Sequence, residues 1–441
     1  MFVDPELSVM RRARRPAAVG VLLAFLASGG FLSGCKGPPS TLYNACIEDW
    51  PDERPPFIEA PSIADVEPAI LWRKRVTSAP PGDSLLLFGD KVAFASSSRF
   101  YAVDRETAEV EATITAGRES VTSAVYDEQG NAYFAGYSLY SVAPDGSYRW
   151  MVPLRGIDGA IIRARGRLVL GPEGGLFFGA SDGQLYCFES ADGSLRWRNA
   201  LTGADQALPM VVGGIGNALL AFSPEGSWRP QLWNRRNGNA MATFTSPEGE
   251  RYGALIGTRL GIVTQRMEDR GGSYPWMHIS VLDQCAKERW HLPAERPQWP
   301  VLIGPGDRLF VVERDDYPDS PTSVSVYGPD GDRVAGPTEM AIPWAIGADG
   351  AIYAVACDSP GLEGPSRLYA YDPDLQERWM VPLGDACPMA GPVIDDQGRL
   401  FFTWSYERVT EVVAVQTQSP GLAPTSWPTR RADDRGTGWV R

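Results

Sequence analysis

The chain has 441 residues, 44% of them apolar and 10% aromatic, and a formal net charge of −13. That composition excludes a chain disordered along its whole length and supplies ample apolar material for a packed body. Setting aside residues 1–34, with four arginines (Arg11, Arg12, Arg14, Arg15) and two acids (Asp4, Glu6), leaves −15, which disfavours a phosphate-backbone ligand; no nucleic acid is expected as a partner.

In chain order, the first element is an address. Arg11 to Arg15 form a cationic region, Ala17 to Leu32 an apolar one, and Leu32-Ser33-Gly34-Cys35 closes it with small residues before a cysteine. The apolar run is too short and too abruptly closed for a stable spanning helix. The pattern resembles a bacterial lipoprotein signal, so residues 1–34 are expected to be removed and Cys35 to carry the lipid that anchors the chain to a membrane. Translation from either Met1 or Met10 would preserve this signal. Residues 35–68 are rich in proline, carry Asp49, Asp52, Glu53 and Glu59, and show no strand alternation, which reads as a tether.

From Leu85 to Thr417 one cassette recurs eight times: a glycine turn, a hydrophobic strand, a second strand with a Leu-Tyr-like core, an Asp-Gly-like turn and often Arg-Trp. Its sharpest copy is Gly174-Gly175-Leu176-Phe177-Phe178-Gly179, Asp182-Gly183-Gln184-Leu185-Tyr186 and Asp192-Gly193-Ser194-Leu195-Arg196-Trp197. The turn recurs near Asp90, Gly130, Gly174, Gly216, Arg259, Asp307, Gly350 and Gln397. A spacing of roughly 40 to 48 residues is that of a four-stranded unit which cannot bury both faces alone. The expected fold is all-β, a single β-propeller over residues 69–420 with eight four-stranded blades and a C-terminal tail at 421–441; a count of seven stays open because blades 4 and 6 are degenerate.

Ile70-Leu71-Trp72-Arg73 carries the fourth-strand signature ahead of the first complete repeat, and the last repeat lacks it. The N-terminal strand is therefore expected to complete the last blade and leave no open edge. Trp72, Trp150, Trp197, Trp290 and Trp379 recur on outer strands and are read as wedges between blades.

The cassette resembles the pyrroloquinoline-quinone-type propeller repeat. Ser426-Trp427-Pro428 and Asp433 to Gly438 resemble a short signature that accompanies such propellers. The resemblance implies two classes: non-catalytic lipoproteins similar to the propeller subunit of the outer-membrane β-barrel assembly machinery, and quinone-dependent dehydrogenases. The second class needs a planar quinone, a calcium with oxygen ligands, a carboxylate base and, usually, a disulfide between adjacent cysteines. This chain has no Cys-Cys pair and no long insertions in its blades. The only histidines, His278 and His291, suit ordinary polar roles, and Asp315-Asp316-Tyr317-Pro318-Asp319 lacks the spacing of a calcium loop. The serines show no nucleophile elbow, and Asp145-Gly146 and Asp192-Gly193 suit turn capping. No catalytic residue, metal or cofactor is assigned. The expected function is a lipid-anchored, non-enzymatic protein-binding platform in the bacterial cell envelope, with the propeller in the periplasm or on the cell surface; the alternatives are a quinoprotein-like oxidoreductase and a carbohydrate-binding propeller.

Besides Cys35 there are five cysteines, an odd number. Cys357 and Cys387, at the end of one blade's second strand and the start of the next blade's first, are expected to pair; Cys46 and Cys285 are a weaker candidate pair, and Cys187 reads as a buried thiol. Finally, the links between second and third strands are tight in blades 1–3 and long in blades 4–7. The long links carry Trp228, Arg229, Arg270, Tyr274 and Tyr317, with Trp276 adjoining, and together these are the expected partner-binding face.

Overall fold

The computed structural model describes Ile47, residues 62–63, 66–77, 81–115 (save 97), 121–200 (save 122), 210–222, 230–244, 250–268, 276–292 (save 286), 297–314, 322–357, 365–384, 388–406, 409–423 and 439–440. Strand β1 is Ala69–Thr77. Blade 1 comprises β2 (Pro81–Phe88), β3 (Lys91–Ser96), β4 (Arg99–Asp104) and β5 (Val110–Thr115). Blade 2 comprises β6 (Ala124–Tyr126), β7 (Ala132–Ala135), β8 (Ser138–Val142) and β9 (Tyr148–Pro153). Blade 3 follows as β10 (Ala164–Leu170), β11 (Gly175–Ala180), β12 (Gln184–Glu189) and β13 (Leu195–Ala200). Blade 4 holds β14 (Met210–Ile215), β15 (Ala218–Phe222), β16 (Gln231–Asn234) and β17 (Ala240–Thr243). Blade 5 holds β18 (Glu250–Thr258), β19 (Gly261–Glu268), β20 (Trp276–Leu282) and β21 (Glu288–Leu292). Next come β22 (Pro297–Gly304), β23 (Arg308–Arg314), β24 (Thr322–Tyr327) and β25 (Arg333–Glu339) in blade 6, and β26 (Ile342–Ile346), β27 (Ile352–Cys357), β28 (Ser366–Tyr371) and β29 (Glu377–Gly384) in blade 7. Blade 8 has β30 (Pro388–Ile394), β31 (Arg399–Tyr406) and β32 (Val409–Gln416), and its fourth strand is β1. Eight four-stranded blades are therefore present, and the turns between first and second strands fall at the eight positions expected from the repeat.

The burial pattern shows why such sequences make stacked sheets. In blade 3 the second strand is buried at every residue and the third at all but its ends, because both faces of the sheet meet a neighbouring blade. The outermost strands alternate instead, as in β1 and β9, because one edge of each blade meets water. The core is thus a series of seams. One joins Val125, Tyr133 and Leu139 of blade 2 to Ala164, Leu170 and Phe178 of blade 3; another joins Val169, Phe177 and Trp197 of blade 3 to Val211, Leu219 and Trp233 of blade 4. Phe100 and Phe134 stack across blades 1 and 2 with centroids 5.5 Å apart.

Four of the seams share a repeated polar fastening as well. The indole N–H of Trp72 donates to the Arg105 carbonyl (3.1 Å), Trp150 to Ser190 (3.2 Å), Trp197 to Arg235 (3.0 Å) and Trp290 to Pro329 (2.9 Å), in every case on the next blade's turn between third and fourth strands. In three of these turns a glycine makes room for the ring, whereas the turn that receives Trp72 has Ala108 instead. A Cβ on Gly238, where φ is +69°, would lie 2.5 Å from Trp197. Both the turn conformation and the ring contact therefore require glycine there.

The ring closes through β1, which pairs antiparallel with β32 (Ile70 opposite Val415, Trp72 opposite Ala414), and through a parallel contact of Ser84 with Gly391. The Ile63 amide donates to the Gln418 carbonyl (2.8 Å), and Gln418 donates from its side chain to the Val66 carbonyl (3.3 Å). Beyond β32 the chain crosses the blade 7 turn, with Ala423 donating to Ile346 (2.8 Å) and the Ala348 amide to Gly421 (2.9 Å). It ends in a short strand, β33 (Trp439–Val440), parallel to the inner strand of blade 4 with Trp439 opposite Gly214 and Val440 opposite Ile215.

Candidate functional site

In an antiparallel meander, successive connections alternate between the two ends of each sheet, so the second-to-third links and the links between blades share one face of the ring. Strand ends set the lengths of the second-to-third links: 97–98, 136–137 and 181–183 in blades 1–3, 223–230, 269–275, 315–321 and 358–365 in blades 4–7, and 407–408 in blade 8. The long links are contiguous around the ring. The side chains singled out on them, Trp228, Arg229, Arg270, Tyr274 and Tyr317, lie outside the described residues, and of Trp276 the structure describes only the backbone, as the first residue of β20. Cys35, Cys46 and Cys387 also lie outside the described residues, as does the acidic run at 315–319.

On the same face, the link from blade 2 to blade 3 forms a small hairpin that sequence reasoning missed. Arg155 and Ile161 pair antiparallel, the Gly156 amide donates to the Ala160 carbonyl (2.9 Å), and the Asp158 carboxylate accepts from the Ala160 amide (2.9 Å). The Leu154 amide donates to the Tyr137 carbonyl and the Ala164 amide to the Gly136 carbonyl, each at 2.8 Å, tying the hairpin to the tight link of blade 2. Leu154 and Ile162 are buried beneath it, whereas Ile157 is 67% and Ile161 66% exposed and Tyr137 is 36% exposed. A hydrogen-bonded backbone thus holds two large aliphatic side chains out in water. The available signal was Gly156-Ile157-Asp158-Gly159, a turn sequence bearing an aliphatic residue at its tip, but the sequence argument compared only second-to-third links.

The other candidates are accounted for by structural contacts. His291 Nδ1 lies 2.9 Å from Glu288, whose carboxylate also reaches Ser280 (3.1 Å) and Arg266. Burial opposes charge on Glu288, yet the His291 hydrogen bond and the Arg266 charge outweigh it and hold the carboxyl below its ordinary range. Asp145 accepts from the Ser147 amide (2.9 Å) and Asp192 from the Ser194 amide (2.9 Å), both within turns. Tyr133 donates to Asp127 (2.7 Å) and accepts from Arg149 (3.0 Å); burial, then the Asp127 carboxylate, push its pKa up to about 12. Among the described residues no group of three or more His, Cys, Asp or Glu is placed to hold a metal ion. Cys187 is a free, buried thiol that burial pushes up to about 12, which suppresses the reactive thiolate. Cys285 and Cys357 are each disulfide-bonded; Cys357 ends β27, the strand end from which pairing with Cys387 was expected, and the Ile47 amide donates to the Gln284 carbonyl (2.8 Å), beside Cys285.

These blades, seams and closure define the chain as an eight-bladed β-propeller. Residues 135–247, in blades 2 to 4, match a family model described as outer membrane protein assembly factor BamB. A search of curated proteins finds no match. Among solved structures, the chain is similar to a computationally designed protein, Ika8 (TM-score 0.54, 13% identity, covering 80% of this chain and 98% of that one). It is also similar to quinohemoprotein alcohol dehydrogenase from Comamonas testosteroni (TM-score 0.52, 11% identity, 79% and 76%). BamB from Moraxella catarrhalis aligns at a TM-score of 0.44 with 12% identity over 80% of this chain and 98% of that one. The similarity to the designed protein and the dehydrogenase shows a shared propeller fold.

Proposed function

We propose that this protein is a non-enzymatic, lipid-anchored β-propeller that serves as a protein-binding platform in the bacterial cell envelope, in the assembly of outer-membrane proteins. The observation that carries the reading is the rigid hairpin displaying Ile157 and Ile161 on the face of the interblade links, with Tyr137 at its base. Large aliphatic and aromatic side chains held on a preorganised backbone gain contact area on binding with little ordering cost. The family model matched by residues 135–247, which include this hairpin, supports the assembly role. The long links of blades 4–7 open on the same face, so Trp228, Arg229, Arg270, Tyr274, Trp276 and Tyr317 extend the proposed surface. Cys35 supplies the anchor and residues 36–46, ahead of the buried Ile47, the reach.

The test is site-specific photocrosslinking in native membranes. A crosslinker at Ile157 is expected to capture an outer-membrane protein assembly component, while one at Val334, exposed on the outermost strand of blade 6, captures none. The double substitution Ile157→Ser and Ile161→Ser should abolish the adduct with the thermal transition unchanged. Equal capture at both positions, or capture that survives the double substitution, would place the partner elsewhere. Two further arms address the anchor and the chemistry. Cys35→Ser should remove the acyl mass and detergent-phase partitioning, and quinone with calcium should give no stoichiometric absorbance change; a stoichiometric change would favour the oxidoreductase reading.

A further inference from the structure

Seven arginines in the blades reach a carboxylate: Arg105 and Arg399 meet Asp395, Arg196 meets Glu189, Arg235 and Arg236 meet Glu173, Arg266 meets Glu288, and Arg378 meets Asp349. Two at the start of the inner strand of blade 3, Arg163 and Arg165, do not. The Nε of Arg163 and the Nε of Arg165 are each buried with no hydrogen-bond partner, and among the described residues no carboxylate pairs with either guanidinium.

Strand register places them together. Ala164 pairs with Ala180, and both pack in the seam with blade 2. Arg165 pairs with Gly179, one residue along, and so stands on the opposite side, toward blade 4, as Val169 and Phe177 do further down the same strands. Arg163, whose amide donates to the Ser181 hydroxyl (3.0 Å) and whose carbonyl accepts from the Ser181 amide (2.9 Å), precedes Ala164 and shares the Arg165 side. Residues two apart on a strand are roughly 7 Å apart, so two long guanidinium arms can converge. Gly179, opposite Arg165, places no side chain beside them. The pair sits at the start of β10, immediately after the exposed hairpin, and so opens toward the face of the interblade links.

Two like charges two positions apart on the same side of one strand, each with a buried Nε, repel, and an anion between them would remove that repulsion. The chain as a whole has a net charge of −13, so a local pair of cations without an acidic partner would attract an anion rather than be masked by its neighbours. We propose that Arg163 and Arg165 form a binding site for a single oxyanion, a carboxylate or phosphate group gripped by two guanidinium forks. The site needs no protein partner and stands apart from the platform reading.

The experiment titrates the purified chain with inorganic phosphate and, separately, with citrate at constant ionic strength, following heat of binding and the thermal transition. One saturable event per chain is expected for at least one anion. Arg163→Gln or Arg165→Gln should weaken it at least tenfold, and the double variant should abolish it. Arg165→Lys should retain partial affinity, because a point charge replaces the fork. Arg155→Gln, whose parent guanidinium donates to the Gly159 carbonyl (3.0 Å), should leave binding unchanged. Saturation by phosphate alone assigns a phosphate ligand, and by citrate alone a carboxylate. No saturable response to either anion, or an undiminished response in the folded double variant, overturns the site.

Discussion

The seam between blades 3 and 4 and the seams where the chain ends meet are held by different means. Between blades 3 and 4 the fastening is local and repeated: Trp197 packs on Gly238 and bonds to Arg235, and Glu173 spans to Arg235 and Arg236. At the closure, buried carboxylates are added to the Trp72 indole bond to the Arg105 carbonyl. Asp395 is paired with Arg399 (2.8 Å) and with Arg105 of blade 1 (3.1 Å), its side chain 0% exposed. Asp349, 1% exposed, gathers Arg378 (3.1 Å), the Ser62 hydroxyl (2.9 Å) near the start of the ring and the Ser419 hydroxyl after its last strand. A turn between consecutive strands fixes its own geometry. Segments 287 and 290 residues apart in sequence need an interaction that fails when misregistered, and a buried ion pair with several partners behaves that way.

The largest expected effect breaks the closure. Asp395→Ala leaves Arg105 and Arg399 without their carboxylate and is expected to cost about 3–5 kcal/mol. Urea unfolding of the purified chain measures it. A loss under about 1 kcal/mol would mean that β1–β32 pairing alone closes the ring.

Next in size is the local fastening. Gly238→Ala meets both a left-handed backbone and the Trp197 ring and should cost about 2–4 kcal/mol, whereas Gly159→Ala, at φ +80° with nothing within 4 Å, should cost only the backbone part of about 1–2 kcal/mol. Equal losses in the two variants would remove the ring contact from the account.

This contrast also explains what could be read in advance. Blade architecture was legible because the units repeat Asp-Gly-like turns and often Arg-Trp strands, and because Ile70 to Arg73 carries the fourth-strand signature away from its blade. The partners of Asp349 and Asp395 were not, since Ser62, Ser419 and Arg105 are brought to them only by closure and no local pattern marks them. The same holds for Arg163 and Arg165: two arginines in a strand say nothing until register shows that Gly179 faces one of them. The tail was read as a simple extension, and two residues, Trp439 and Val440, carry too little pattern to announce β33.

A smaller effect should follow removal of Trp439 to Arg441. The two-residue strand adds a parallel partner to the inner edge of β14, so its loss is expected to speed amide exchange in the segment around Gly214 and Ile215 by about tenfold while global stability changes by about 1 kcal/mol or less. Unchanged exchange there would show that β33 adds no protection.

The smallest effect is a pH dependence confined to the local fastening. The Arg236 hydrogen bond, followed by the nearby Arg235 charge, holds Glu173 below its ordinary value of 4.5 against the opposing effect of burial. A carboxyl whose folded pKa is depressed contributes stability that is complete above the unfolded value and is lost as pH falls through the folded one. Glu173 is 42% exposed, so solvent screens the pair and the contribution is small. The difference in Tm between the parent and Glu173→Gln should therefore be constant from about pH 8 to about pH 6, begin to shrink near 4.5 and vanish below the folded value. Raising the salt to about 1 M should flatten the same curve, because screening acts on exposed pairs first. A difference that grows on acidification would reverse the sign of the linkage and show that Glu173 is not held as a carboxylate between the blades.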